Sequence, residues 1–301
     1  MDLSSEILKN FESLFESKEN YDVIIQVGEE PNIEEIYAHS LVLCCQSNYF
    51  RTAFSSNWEE KNNGKYIFKK PNISPHIFEI ILRYLYCGKI DLNDEQNGLD
   101  GLKLLMSVDE FGLHTLYEHI QVFMINNLKR FLQNDTIKIL EIIFQHESLA
   151  TLRNSCFETI CQEPNILFGT DKILELSAEL LELFLEREDL SLIEIKVWDN
   201  LIKWTHAKHP TIDTDTSKWS KEDSTLMKET ISRFIPLIRF QDITSREFSH
   251  KILPYEDLLP KKLRHEILNS YLDPNMKQVE LLPSRFVSRS FKMFPNGIYV
   301  R

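Results

Sequence analysis

The residues of this 301-residue chain whose types and spacing could do chemistry are Asp22 with His39, His206 with His209, and cysteines at 44, 45, 87, 156 and 161. An aspartate beside a histidine can orient an imidazole for general-base work. A histidine at a helix start near a carboxylate is, however, far more often a structural hydrogen bond. The Gly-x-Ser-x-Gly turn that would present a serine nucleophile does not occur. His206 and His209 stand three apart, a spacing two metal ligands can use on one helical face, yet no Cys, Asp or Glu is spaced to complete a site. Pro210 follows at once, so the pair reads as a solvated helix terminus, where the dipole favours a partly cationic His. The cysteines are odd in number and form no Cys-x-x-Cys pair. Cys44, Cys45 and Cys156 lie in apolar helical patterns, where a free thiol acts as a small hydrophobe. Neither a Gly-x-x-x-x-Gly-Lys phosphate loop nor Gly-x-Gly-x-x-Gly appears. These readings predict no catalytic residue, no cofactor and no metal.

The elements that would position these residues follow from periodicity. Leu3, Ile7, Leu8, Phe11, Leu14 and Phe15 form the apolar stripe of an N-terminal helix over 1–19. A lone helix of that length is marginal in water, so the stripe must dock on something. Asp22–Val27 and Ile33–Ala38 read as strands joined by a Gly-Glu-Glu-Pro-Asn turn. Leu41, Val42 and Leu43 then open a run dense in packing residues, which Ser47 splits into two short helices by acting as an N-cap. Lys65–Phe68 is a third strand. Pro71 to Pro75 stops it and starts an apolar helix through Leu85. A polar loop at 93–98 precedes helices over about 99–111 and 116–132. Asn134-Asp135-Thr136 supplies a fresh cap signal, after which strand patterns nearly vanish and helices succeed one another to about 271. Thr211–Ser220 reads as a polar surface insertion, and 273–301 as a basic tail without periodicity.

Composition narrows the class further. A net charge of −12 argues against a nucleic-acid surface, which needs clustered Lys and Arg. No apolar run approaches the roughly 20 residues that span a bilayer, and the first residues lack a basic leader. An intracellular protein, cytoplasmic or also nuclear, is expected, with neither nucleic acid nor membrane as partner.

Several motifs in one order carry a resemblance. Asp22-Val23 at the first strand, Ala38-His39 at a helix start, then Leu43, Ser47 and Tyr49-Phe50-Arg51, Tyr84-Leu85-Tyr86-Cys87-Gly88-Lys89-Ile90, and Leu104 to Phe111 ending in Gly112-Leu113 together resemble the BTB/POZ family. The second half is similar, more loosely, to the BACK domain that follows it in many adaptors, through Leu190 to Trp198 with Leu201, Ile202 and Trp204, and through Ile252-Leu253-Pro254 to Pro260. The implied architecture is an α+β BTB/POZ domain over 20–132, an all-α BACK domain over 133–272, and a linker over 273–301. Any Kelch or TLDc module beyond that linker is expected to be absent or truncated.

The resemblance also implies a function: a homodimeric adaptor that recruits an unidentified protein substrate to a cullin-3 RING ubiquitin ligase. In cullin-3-binding members a hydrophobic residue, any residue and a glutamate follow the helix pair; Trp58, Glu59 and Glu60 stand there, with Phe54 one helical turn earlier. An exposed aromatic can anchor in a partner's pocket while the carboxylate makes a directional contact at the rim. The region 128–161 would extend that surface toward the cullin-3 N-terminal region. The N-terminal stripe would pack across a two-fold dimer interface, with docking on its own domain as the alternative, and Asp22 and His39 would organise the strand–helix junction. The competing functional reading is a dimerising scaffold that does not touch cullin.

Overall fold

The computed structural model describes residues 3–55, 61–92, 97–272 and 282–285. An amphipathic helix, α1 (Leu3–Ser17), leads into β1 (Val23–Val27). Val23, Ile25 and Val27 are fully buried while Ile24 and Gln26 are partly covered, the period-two pattern of a strand lying on a core. β2 (Glu34–Ala38) pairs antiparallel with β1, setting Ala38 opposite Val23.

Two short helices, α2 (Ser40–Gln46) and α3 (Asn48–Ala53), then carry the chain to the far side of β1. Ser47 separates them as the sequence requires: its backbone is extended and its hydroxyl accepts from the Tyr49 N–H at 3.1 Å. The same hydroxyl donates to the Phe111 carbonyl at 2.8 Å, pinning the break to the core. β3 (Lys61–Asn62) and β4 (Lys65–Lys70) complete a sheet of order β2-β1-β4-β3. β4 runs parallel to β1, the pairing that demands a crossover, and β3 lies antiparallel to β4. The two-residue β3 is too short to show a period. Its signal is Asn63-Gly64, where φ of 51° and 80° make the hairpin turn that Asn-Gly favours.

α4 (Pro75–Cys87) starts at the Ser74 cap with Pro75 in its first turn and stops at Gly88, whose left-handed backbone (φ 63°) sends its N–H to the Tyr84 carbonyl. α5 (Gly98–Glu110) follows. The expected helix over 116–132 is two helices, α6 (His114–Asn126) and α7 (Leu128–Gln145). The chain breaks at Asn127, whose side chain donates to the Phe123 carbonyl and competes with the helical ladder there. The cap signal at 134–136 does not start a helix. It marks a kink at Asp135 inside α7, bridged by the buried Thr136 hydroxyl bonding back to Leu132.

The chain divides into two compact units, Met1–Leu152 and Arg153–Arg301. The core of the first is aromatic. Phe50 lies 5.0 Å from Phe111 and 5.5 Å from Phe68, and Phe78 lies 5.7 Å from Phe111, ring centre to ring centre. At its edge Lys70 is buried against Glu110; desolvation disfavours its charge, but the hydrogen bonds its ammonium makes to Glu110 and Tyr49 outweigh that and raise its pKa.

The helices of the second half are α8 (Ala150–Gln162), α9 (Ala178–Glu186), α10 (Glu194–Lys208), α11 (Lys221–Ile231), the short α12 (Ser245–Glu247), which runs on into a π-helical turn, and α13 (Lys261–Leu272). Trp198 and Trp204 of α10 are buried, and each satisfies its indole N–H on a main-chain carbonyl, of Lys251 and of Leu176. The 211–220 insertion is not a free surface loop. Ile212 is buried, and Trp219 donates to the Asp213 carbonyl and rests its ring 5.9 Å from His206 and 5.8 Å from Tyr255. Nor is the described part of the expected linker free: Leu282–Arg285 bonds to this second unit, and Arg285 is 1% exposed.

Candidate functional site

Asp22 and His39 do not face each other as a catalytic pair. Asp22 sits one residue ahead of β1, and its carboxylate accepts from the Ser40 N–H at 2.7 Å and the Ser40 hydroxyl at 2.5 Å, capping α2. The Tyr86 hydroxyl of α4 accepts from the His39 N–H at 2.8 Å and lies 2.7 Å from His39 Nδ1. The phenol proton therefore points at Nδ1, and Nε2 carries the hydrogen that it donates to the Glu19 carbonyl at 2.7 Å. Burial pushes the Tyr86 phenol up to about 12, so this bridge keeps its proton at neutral pH. The junction joins strand, helix and the end of α1 with every polar atom engaged, and leaves no free base.

Around that junction the structure sorts the α1 stripe into two functions. Phe15 is buried against its own unit, its ring 5.3 Å from Tyr86 with the Arg83 guanidinium 5.4 Å from its centre. Glu12 bonds Lys89 beside it at 2.5 Å. Phe15 thus anchors α1 on α4 and is not available to a second chain, and Leu14 next to it is half-buried. One and two turns earlier the same stripe is uncovered: Ile7, Leu8 and Phe11 are 57%, 42% and 39% exposed. The side chain of Leu3 lies outside the described residues.

The α2–α3 pair shows a second departure. Leu41 reads in sequence as a packing residue, but it is 75% exposed. Val42 and Leu43 take the buried arc of the seven-residue helix and Leu41 falls off it. The helical phase relative to Val42 and Leu43 is the signal that could have found it. α1 and α2 both pack on α4, so the apolar residues of both belong to one scaffold. Phe54, expected on a partner surface, is buried (9% exposed). Its ring lies 5.1 Å from Tyr66 and 5.9 Å from Phe68, because the end of α3 lies over β4. Trp58, Glu59 and Glu60 lie outside the described residues. Within 128–161, Phe144 of α7 is exposed.

The remaining chemical candidates are structural. Cys87, Cys156 and Cys161 are buried, and burial pushes the thiols of Cys156 and Cys161 up to about 12, where they are protonated and inert. Cys45 is exposed, contrary to its apolar setting in sequence; Cys44 is half-buried, its thiol 3.7 Å from the Phe50 carbonyl. His209 ends α10 and bonds the Thr230 hydroxyl at 2.7 Å. His206 is not solvated: both ring nitrogens are buried without a partner, and burial, reinforced by His209, lowers its pKa. Among the described residues no cluster of three His, Cys, Asp or Glu side chains is placed to hold a metal, and no helix is long and apolar enough to cross a membrane.

Comparison with known proteins bears on the same unit. Residues 11–128 match the model of the BTB/POZ domain. BTB/POZ domain-containing protein 6-B of Danio rerio is 22% identical over 267 residues, covering 89% of this chain and 52% of that protein. Its Homo sapiens counterpart is 22% identical over the same length, covering 46% of that protein. Kelch-like protein 38 of Danio rerio is 25% identical over 205 residues, 68% of this chain and 33% of that protein. The chain spans about half the length of the curated BTB/POZ relatives it matches, and alignments of 267 residues run past residue 128 into the helical half. Among solved structures, the BTB domain of zebrafish PATZ1 is 27% identical, covering 40% of this chain and 90% of that one with a TM-score of 0.33.

Proposed function

We propose, from a chain whose residues 11–128 form a BTB/POZ domain, that the protein is a homodimeric adaptor that recruits a protein substrate to a cullin-3 RING ubiquitin ligase in the cytoplasm. The helical unit is on this reading a BACK domain. The observation that carries the proposal is the uncovered apolar face of Ile7, Leu8 and Phe11 on α1, with Leu41 exposed on α2. An exposed stripe of large apolar residues on one helix is a candidate association surface, and a closed two-fold dimer is the commonest way to cover one. The adaptor does no chemistry itself. Holding cullin and substrate together raises the substrate's effective concentration at the ubiquitin-loaded enzyme.

The burial of Phe54 favours a second reading. It removes one of the expected cullin contacts and leaves Trp58, Glu59 and Glu60 to carry that interface, which fits a dimerising scaffold that does not bind cullin. Light scattering joined to calorimetry separates the two. The adaptor reading expects a dimer that titrates the cullin-3 N-terminal region, with Trp58→Ala/Glu60→Ala weakening binding at least about tenfold, the scale of an interface hot spot. Ile7→Glu/Phe11→Glu should give a folded monomer, because both side chains are exposed in the single chain. A dimer with a null cullin titration leaves the scaffold, and a monomeric wild-type chain defeats both readings.

A further inference from the structure

Arg285 belongs to the stretch that reads as a basic linker, yet its side chain is as buried as any core leucine. Its Nε donates to Glu194 Oε1 at 2.5 Å, and both side chains are 1% exposed. One terminal nitrogen donates to the Arg187 carbonyl and the other to the Leu237 carbonyl. Three acceptors, one carboxylate and two main-chain oxygens, therefore surround the planar guanidinium from the end of α9, the first residue of α10 and the 237–242 loop. A fork of donors fits that arrangement and a lysine ammonium does not.

The rest of the segment is held through two main-chain carbonyls and the Ser284 hydroxyl. Gln241 Nε2 donates to the Leu282 carbonyl at 2.7 Å, Arg239 Nε donates to the Pro283 carbonyl at 3.4 Å, and the Ser284 hydroxyl donates to Asp242 Oδ1 at 2.5 Å. The receiving groups are themselves fixed: Glu194 Oε2 accepts from the Arg239 N–H, and Arg239 Nη1 donates to the Leu185 and Leu237 carbonyls. The other atoms of the two polar clamps, Gln241 Oε1 and Asp242 Oδ2, are buried with no partner among the described residues. Main-chain bonds that hold a short segment, with one side chain in a matched pocket and a second at its edge, are the physics of peptide recognition.

We infer that the helical unit contains a docking site for a short segment of the type Leu-Pro-Ser-Arg, read through its arginine, and that the occupant is this chain's own residues 282–285. The site lies outside the BTB/POZ domain and does not depend on the cullin reading. Its consequence is that the chain beyond 285 starts from a fixed point beside α10 instead of from the end of α13. The site is also charge-selective. A phosphoserine at 284 would set about two negative charges against Asp242, so that modification and docking exclude each other.

Two measurements on the full chain test this. In limited trypsin digestion followed by mass, cleavage after Arg285 should be slow in the wild-type chain. Ser284→Glu should speed it by at least about tenfold, as an acidic group facing Asp242 expels the segment, while cleavage within 153–272 and the circular dichroism stay unchanged. Separately, Arg285→Ala empties the guanidinium pocket of the full chain. A synthetic peptide of residues 279–288 should then bind it, the same peptide with Lys for Arg285 at least about tenfold more weakly, and the phosphoserine-284 peptide not at all. Wild-type cleavage after Arg285 as fast as in urea, or equal binding of the arginine and lysine peptides, overturns the proposal.

Discussion

Phe50 in the first unit and Glu194 in the second are both fully buried residues on which several elements converge, and they hold those elements by opposite means. Phe50 gathers Phe54, Phe68, Phe111 and Tyr49 by ring contacts. Glu194 gathers the Arg239 main chain and the Arg285 guanidinium by charge and hydrogen bonds, in a place where every member would be unfavourable without the others. An apolar cluster loses stability in proportion to what is removed. A buried ion pair loses more stability when one member is removed than when both are.

The largest effect follows from that difference. Glu194→Ala leaves the buried Arg285 guanidinium without its carboxylate and the Arg239 N–H without its acceptor. It should cost about 3–5 kcal/mol, the scale of breaking a buried pair from one side. Burial and the neighbouring Arg285 press Arg239 below its ordinary pKa. Glu194→Gln/Arg285→Met removes carboxylate and partner together and should recover most of that loss. Phe50→Ala should cost a similar ~3–5 kcal/mol, but Phe50→Ala/Phe111→Ala should cost more than either single change. Denaturant midpoints for the six proteins, wild type included, decide it: if the Glu194/Arg285 double variant is worse than the Glu194 single, the network is not the coupled pair described here.

A smaller effect sharpens the first half of the comparison. Ser47→Ala removes both the cap of α3 and the bond to the Phe111 carbonyl, so the loss should be about 1–2 kcal/mol. Ser47→Thr, which keeps the hydroxyl, should recover most of it. A Ser47→Ala loss within a few tenths of a kcal/mol would mean that ring packing alone sets the α2–α3 break.

The same contrast explains what was legible in sequence. The strands at 22–27, 33–38 and 65–68, the Ser47 cap and the Pro75–Gly88 helix show because each is written in neighbouring residues: a period of two, a hydroxyl before a helix, a proline and a glycine at its ends. Phe54 was misplaced because its burial depends on β4 arriving beneath it, which local period does not encode. Leu41 was misplaced for the opposite reason, since an apolar run of three on a seven-residue helix must leave one member outside. Arg285 pairs with a glutamate 91 positions away; a basic residue in an aperiodic stretch carries no mark of a distant carboxylate. Of the expected partner surface, the exposed part of the α1 stripe was readable from its helical spacing. The separation of Phe15 from Ile7, Leu8 and Phe11 was not, because it depends on where α4 ends.

The smallest effect isolates a polar group that the second unit buries without compensation. His206 lies against Trp219 with both ring nitrogens unpartnered, and burial holds its pKa below the ordinary histidine value of 6.5. Between its folded and unfolded pKa values the unfolded chain binds more protons than the folded one, so stability rises with pH through that window. The contribution is complete above about pH 6.5 and is lost on acidification through the lower, folded value. His206→Phe should remove this acid-dependent part, leaving the Trp219 contact and a flatter midpoint between pH 7 and 5, whereas His209→Phe, which removes only the smaller contribution to the His206 shift and the bond to Thr230, should flatten the slope less. Urea titrations of the three proteins across that range read it directly. An unchanged slope in His206→Phe would place the acid sensitivity elsewhere and make the buried imidazole a packing group, closer in kind to Phe50 than to Glu194.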